Sequence, residues 1–266
     1  MEDKKIWFWD LETLSIFTAT FKNRETKEIK QFVISKTRDD REEFFTFLKD
    51  KVLGLIGFNS IYFDAQVLEF MYRNPTITSQ EIRNYAELIT SNNDRRMDVP
   101  EWELRIPQLD LYKINHFDNK NRRTGLKWCE FMMDLDNIED LPSQGEGSNW
   151  EEMVLSYNLN DVLATEALYY RTVPMIELRK KLRDLYNIKC LNYSNTKIGS
   201  ELLLKLYCKK TGKNPNDVRA LRTYRPVIKM EDVIFDYISF KSDTFRKFLE
   251  QLKQKLIHST KKDGEE

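Results

Sequence analysis

Histidine is nearly missing from this chain. His116 and His258 are the only two, too few for a His-rich metal site or for most imidazole-based mechanisms, and each is expected at the surface. Cysteine is scarce as well. Cys129, Cys190 and Cys208 are scattered without C-x-x-C spacing, which argues against a zinc site or a disulfide frame and fits buried thiols in a reducing compartment. No apolar run approaches the roughly 18 residues a membrane span needs, and the start MEDKKIWFWD lacks the apolar stretch of a secretory signal. The expected address is the cytoplasm, with no membrane partner.

Net charge is also lacking, since 43 Lys+Arg balance 43 Asp+Glu. The balance hides a split. Residues 171–266 carry 22 basic and 12 acidic side chains, which leaves 21 basic and 31 acidic for residues 1–170. An acidic half can host cations while a basic half can follow a phosphate backbone; the plainer alternative is two solvated surfaces of unequal charge.

What the chain has is apolar and aromatic material, 41% and 12% of 266 residues, enough for one substantial core and a smaller second unit. KIWFWD, LSIFTATFKN and IKQFVISKT read as three adjacent strands, the first ending on Asp10. Residues 39–51 show helical spacing, LGLIGFN returns to strand, and AQVLEFMYRN and SQEIRNYAELIT read as helices. SNNDRRMDVPEWE reads as a polar loop, after which IPQLDLY closes the sheet. This alternation predicts an α/β layer with a mixed sheet. GLKWCEFMMDL predicts a helix, DNIEDLPSQGEGSNW a surface loop, and Trp150–Arg171 a long helix that Pro174 disturbs or ends. Beyond it MIELRKKLRDLYNIK and KIGSELLLKLYCKKTG read as helices. TFRKFLEQLKQKLI follows as an amphipathic helix with Phe245, Phe248, Leu249, Leu252 and Leu256 near one face, expected to pack on its own core.

Three short patterns carry the chemistry. In WDLET, Asp10 and Glu12 are two apart in a strand and so share a face. In NSIYFD, Asn59 falls at a strand end and Asp64 at a helix start, with Phe63 beside the acid. In YNLND, Tyr157 and Asp161 are four apart on a helix, one turn from each other. Each pattern alone is common. In this order they supply four carboxylates, the hard oxygen ligands that Mg²⁺ or Mn²⁺ prefer in sites where two ions about 3.5–4 Å apart cut a phosphodiester.

On these residues, D-x-E at Asp10 and Glu12, N-x(3)-F-D at Asn59, Phe63 and Asp64, and Y-x(3)-D at Tyr157 and Asp161, the chain resembles the DEDD 3′ to 5′ exonucleases, in the tyrosine subclass that includes proofreading domains of family B DNA polymerases. The resemblance covers residues 5 to about 172, and GLKWCEFMMDLDNIEDLP has a phage-polymerase flavour, so a viral source would make the address a host cytoplasm. It implies a ribonuclease H-like mixed five-stranded sheet flanked by helices, in a domain of residues 1–172. A basic, mostly helical C-terminal region of residues 173–260 and a disordered tail of 261–266 would follow. It further implies hydrolysis at the 3′ end of single-stranded DNA with release of nucleoside 5′-monophosphates. Asp10 would contact both metal ions, Glu12 and Asp161 would complete one, Asp64 would hold the other, and Tyr157 would orient the attacking water. Leu11, Thr13, Asn59 and Phe63 would bind the terminal nucleotide.

Polymerase signatures such as D-x-x-S-L-Y-P-S and D-T-D are absent, so a freestanding proofreading or trimming enzyme, or a subunit of a separately encoded DNA polymerase, is expected. A 3′ exoribonuclease is the enzyme alternative, because the same acids serve RNA-trimming members. A binding subunit with a vestigial site is the non-enzyme alternative. Residues 171–230 hold 15 Lys+Arg against 4 Asp+Glu, interleaved with Tyr186, Tyr193, Tyr207 and Tyr224, a composition that can guide a single strand or be plain solvated surface.

Overall fold

A computed structural model describes residues 5–91, 98–115, 124–142, 145, 148–221 and 226–258. The chain divides into two compact units, Met1–Leu202 and Leu203–Glu266.

The first unit is an α/β layer built on a five-stranded mixed sheet. Strands β1 (Lys5–Thr13), β2 (Phe17–Asn23), β3 (Ile29–Ile34), β4 (Val52–Gly57) and β5 (Gln108–Asp110) lie in the order β3-β2-β1-β4-β5. β1, β2 and β3 pair antiparallel, whereas β1, β4 and β5 pair parallel. Strict alternation in KIWFWDLET sends successive side chains to opposite faces. Trp7, Trp9 and Leu11 enter one core with α1 (Arg41–Lys51), α2 (Asp64–Arg73) and α3 (Ser79–Ser91). Phe8 enters the other with α4 (Leu111–Asn115), α5 (Leu126–Met133) and α6 (Ser148–Tyr186). Both faces are therefore covered. Asp10 and Glu12, in phase with Phe8, lie on the α6 side.

Antiparallel pairing with β2 continues through Asp10↔Thr20, Leu11↔Ala19 and Glu12↔Thr18 to Thr13↔Phe17, so β1 runs past the expected end at Asp10. Its parallel pairing with β4 stops at Phe8↔Ile56. Beyond that point one side of β1 is open, and there the site is built.

Helix α6 also outruns the expectation. It continues through Pro174 to Tyr186, 39 residues in all, and the expected domain edge at residue 172 falls inside it, while the compact unit extends to Leu202. Proline forfeits one helix hydrogen bond and crowds the preceding turn, but tertiary packing carries the helix across. Ile176 and Arg179 beyond it are 2% and 1% exposed. Arg179 donates to the Met175 carbonyl at 3.2 Å, to the Tyr193 carbonyl at 3.0 Å and to Asn195 Oδ1 at 2.9 Å, tying the late helix to the segment that follows.

Helix α7 (Asn195–Thr211) leads into the second unit, which holds α8 (Pro215–Ala220), β6 (Val227–Lys229), α9 (Asp243–Lys253) and β7 (Leu256–His258), with β6 and β7 paired antiparallel. Leu256 and Ile257 were expected to extend the final helix. They pair with β6 instead, because there they find backbone partners, and Leu256 leaves the helical face. Of that face Leu249 is buried, while Phe245 and Phe248 are 56% and 57% exposed, so the expected packing on a core is not made by these rings. His116, Tyr224, the 261–266 tail and part of each expected polar loop lie outside the described residues; His258 is exposed. Cys129 and Cys190 are buried and Cys208 half-buried, all as free thiols. Among the described residues no helix is long and apolar enough to cross a membrane.

Candidate active site

Three segments converge where β1 loses its β4 neighbour. Leu11, whose N–H points to the open side, donates to Asp64 Oδ1 at 3.2 Å, satisfying a backbone donor that the sheet leaves unpaired. Asp64 is the first residue of α2 and is 4% exposed. The turn that delivers it depends on two local features. Asn59 adopts φ 59°, a left-handed conformation that asparagine tolerates better than most residues. Its carbonyl accepts from the Tyr62 and Phe63 N–H groups, both at 3.2 Å. Gly57 precedes it, and a Cβ there would lie 2.6 Å from Ser60 Cβ and 2.9 Å from Trp9 Nε1, so only glycine fits without displacement. Asp110, at the end of β5, fastens the turn by accepting from the N–H groups of Asn59 at 2.8 Å and Ile61 at 3.2 Å.

The third segment is α6, pinned to the sheet at several points. Trp150 Nε1 donates to Ser15 Oγ at 3.0 Å, and Gln31 Nε2 donates to the Leu155 carbonyl at 2.9 Å. Farther along, Glu166 pairs with Lys22 at 2.5 Å and Lys27 at 2.6 Å. Between these anchors, Asn158 Nδ2 donates to Asp10 Oδ2 at 2.7 Å. Tyr157 and Asp161 flank that contact one turn apart on α6, close enough to act on each other electrostatically.

The carboxylates of Asp10, Glu12 and Asp161 each bring an oxygen within 4.8 Å of the others and can hold a metal ion. Asp64 is close enough to act on Asp10 and Glu12 electrostatically. Among the described residues no Lys or Arg forms an ion pair with any of the four. Their protonation reflects this. Burial and then the charge of Asp161 push Glu12 up to about 8; burial, against the backbone N–H groups that lower it, pushes Asp64 up to about 8. Asp161 rises to about 7 through burial and then the charge of Glu130. Asp10 is raised well above the carboxylate range by burial, then by Asp64, Asp161 and Glu12. Four acids that resist sharing negative charge, with only oxygen donors around them, fit hard divalent cations. The buried, unpartnered Oδ1 of Asn158 adds one more oxygen beside Asp10.

Burial and its carboxylate neighbours raise the Tyr157 phenol far above its ordinary value. It therefore remains protonated near neutrality and is able to donate a hydrogen bond.

The structure thus brings together Asp10, Glu12, Asp64, Tyr157 and Asp161 from positions up to 151 residues apart. Thr13 sits half-buried at the end of β1 and Phe63 packs half-buried against the larger core. Leu11, expected to touch a nucleotide, has its side chain in that core at 3% exposure. Its contribution to the site is its N–H, because strand alternation turns the side chain away from Asp10 and Glu12. Two residues were missed. Asn158 lay inside the third pattern, three positions before Asp161, where a helix makes the two neighbours. Asp110 closed the last strand of the sheet. Of the interleaved tyrosines, Tyr186 and Tyr193 pack against a small cluster of Ile188, Cys190 and Ile198, and Tyr207 is 44% exposed.

Compared with known protein families, with curated proteins and with solved structures, the chain matches none of them.

Proposed function

We propose that this protein is a metal-dependent 3′ to 5′ exonuclease that hydrolyses the terminal phosphodiester of single-stranded DNA. The observation that carries the reading is the convergence of the four carboxylates of the D-x-E, N-x(3)-F-D and Y-x(3)-D patterns on one site without a basic partner among the described residues. The strand order β3-β2-β1-β4-β5, with an antiparallel hairpin side and a parallel side, is compatible with the ribonuclease H-like fold expected of such enzymes.

Asp10, Glu12 and Asp161 would hold one Mg²⁺ or Mn²⁺ ion, and Asp64 with Asp10 a second. Bound there, the cations supply the positive charge that phosphodiester hydrolysis needs as negative charge builds on the phosphate oxygens. The chain's own groups set the geometry. Asn158 fixes Asp10 through its Oδ2, and the Leu11 N–H fixes Asp64. Tyr157, keeping its proton, orients Asp161 and the attacking water rather than deprotonating that water. Water attacks phosphorus, the bond to the 3′ oxygen of the penultimate nucleotide breaks, and a nucleoside 5′-monophosphate leaves. The shortened strand retains a 3′ hydroxyl. The freestanding proofreading or trimming role, and docking on a separately encoded polymerase, belong to the same reading.

The test uses 5′-labelled single-stranded DNA and RNA of matched sequence, with Mg²⁺, Mn²⁺ or EDTA, alongside Asp10→Ala. A metal-dependent ladder shortening from the 3′ end of DNA, absent in the variant, is the expected result. Preference for RNA would make the protein an exoribonuclease. Binding without cleavage under any metal would leave it a binding subunit and overturn the proposal.

A further inference from the structure

Strand β2 carries a buried hydroxyl for which the fold has no use. Its side chains alternate, so Phe17, Ala19 and Phe21 enter the core shared with α1, α2 and α3, while Thr18 and Thr20 turn to the α6 side. There they face the acids. The antiparallel register sets Thr20 opposite Asp10 and Thr18 opposite Glu12, and side chains paired in this way stand on one face of the sheet, their Cα atoms about 4.5–5.5 Å apart. Thr20 Oγ1 accepts from Gln31 Nε2 at 3.1 Å. Thr18 is 0% exposed, and its Oγ1 has no hydrogen-bond partner among the described residues.

A hydroxyl buried without a partner is unfavourable, and a valine would fill the same space and suit a strand as well. Thr18 lies between β1 and β3, paired with Glu12 and Val33, so no turn, cap or strand edge calls for threonine there. What its side chain stands beside is a carboxylate that lacks a donor. Asp10 accepts from Asn158 Nδ2 and Asp64 from the Leu11 N–H, whereas Glu12 accepts from no group among the described residues. An unpartnered donor and an unpartnered acceptor thus sit on directly paired residues.

We propose that Thr18 is a positioning residue for Glu12: by rotation about its Cα–Cβ bond, its hydroxyl donates to one Glu12 oxygen when an ion is bound and leaves the other oxygen to the ion. The inference rests on reading Asp10, Glu12 and Asp161 as a metal site. It gives Glu12 the kind of support that Asn158 gives Asp10, and it brings β2 into the shell around the ligands.

The test is a Mn²⁺ titration of the full chain, followed by the electron paramagnetic resonance signal of free Mn²⁺, on wild type, Thr18→Val, Thr18→Ser and Glu12→Ala. Thr18→Val keeps the shape and removes the hydroxyl. It is expected to bind Mn²⁺ about tenfold less tightly, the scale on which residues that orient metal ligands act, and Thr18→Ser is expected to restore the affinity. In EDTA, Thr18→Val is expected to melt no lower than wild type, because no hydrogen bond is lost there; a lower melting temperature would mark the hydroxyl as structural and overturn the inference. Added to Glu12→Ala, Thr18→Val is expected to cause no further loss, and a full tenfold loss in that background would show that Thr18 does not act through Glu12. A Thr18→Val isotherm that overlays wild type, with Glu12→Ala impaired, would overturn this inference and leave the proposed function standing. No Mn²⁺ binding by wild type would overturn both. Should Thr18→Val fail to fold, Thr18→Ser and Thr18→Ala differ by the same hydroxyl, and equal Mn²⁺ affinity in that pair would overturn the inference.

Discussion

Asn158 donates its side-chain N–H to Asp10 Oδ2 at 2.7 Å, joining helix α6 to strand β1 at the centre of the acid cluster across 148 residues of sequence. The bond leaves Asp10 Oδ1 free and fixes the plane of the carboxylate. A ligand held in this way needs no reorientation when an ion arrives.

Asn158→Ala is accordingly expected to lower both Mn²⁺ affinity and exonuclease turnover by about 10- to 100-fold, the range typical when a residue orienting a metal ligand is lost. Single-turnover kinetics and a metal titration on the same preparation check this. Unchanged values for both would show that Asp10 is positioned by other means.

Asp10 and Tyr157 differ in what they are asked to do. Asp10→Ala removes a cation ligand and is expected to abolish DNA cleavage. Tyr157→Phe removes a hydrogen-bond donor whose proton stays in place near neutrality and is expected to retain measurable activity. Gel-based rates on a 5′-labelled single strand distinguish the two, and equal activity would sink the assignment of roles.

The metal-free protein is expected to lose stability as pH rises. Folded Glu12, Asp64 and Asp161 have pKa values raised to about 8, about 8 and about 7, from ordinary values of 4.5, 3.8 and 3.8, so the folded state holds more protons than the unfolded chain in between. Their contribution is fully present below the unfolded values and is lost as pH climbs through 7 to 8. Melting temperatures in EDTA should fall across that window, and Mg²⁺ or Mn²⁺ at pH 8 should raise them again. Glu12→Gln should flatten the pH dependence. A melting temperature that rises with pH over the same interval would contradict the crowding of these acids.

Gly57→Ala tests the turn that delivers Asp64. A Cβ 2.6 Å from Ser60 Cβ and 2.9 Å from Trp9 Nε1 cannot be accommodated in place, and overpacking of this kind costs about 1–3 kcal/mol. Urea unfolding should show that loss, and the displaced turn should reduce activity beyond what stability explains. A variant as stable as wild type would mean that Ser60 and Trp9 move aside freely.

Much of the fold could be read along the chain, because strands and helices announce themselves through local periodicity. The alternation in KIWFWDLET placed Asp10 and Glu12 on one face, and the four-residue interval in YNLND placed Tyr157 above Asp161. Pro174 misled for the same reason: its local preference predicts a break, whereas the burial of Ile176 and Arg179 beyond it outweighs one missing hydrogen bond. Leu256 was assigned to a helical face on spacing alone, yet a strand at Val227–Lys229 offers it backbone partners.

By itself the sequence determined which residues can ligate a cation, the face each occupies on its own element, and the mixed β and α order that makes a layered sheet, since these depend on side-chain chemistry and on periods of two and 3.6 residues. Only the tertiary structure decided that the three segments meet where β1 loses its β4 neighbour, that Leu11 contributes its N–H and not its side chain, and that Asn158 and Asp110 support the site. Those facts depend on which strand edge is left open and on what packs across it, a competition among distant segments for the same backbone groups and the same buried space.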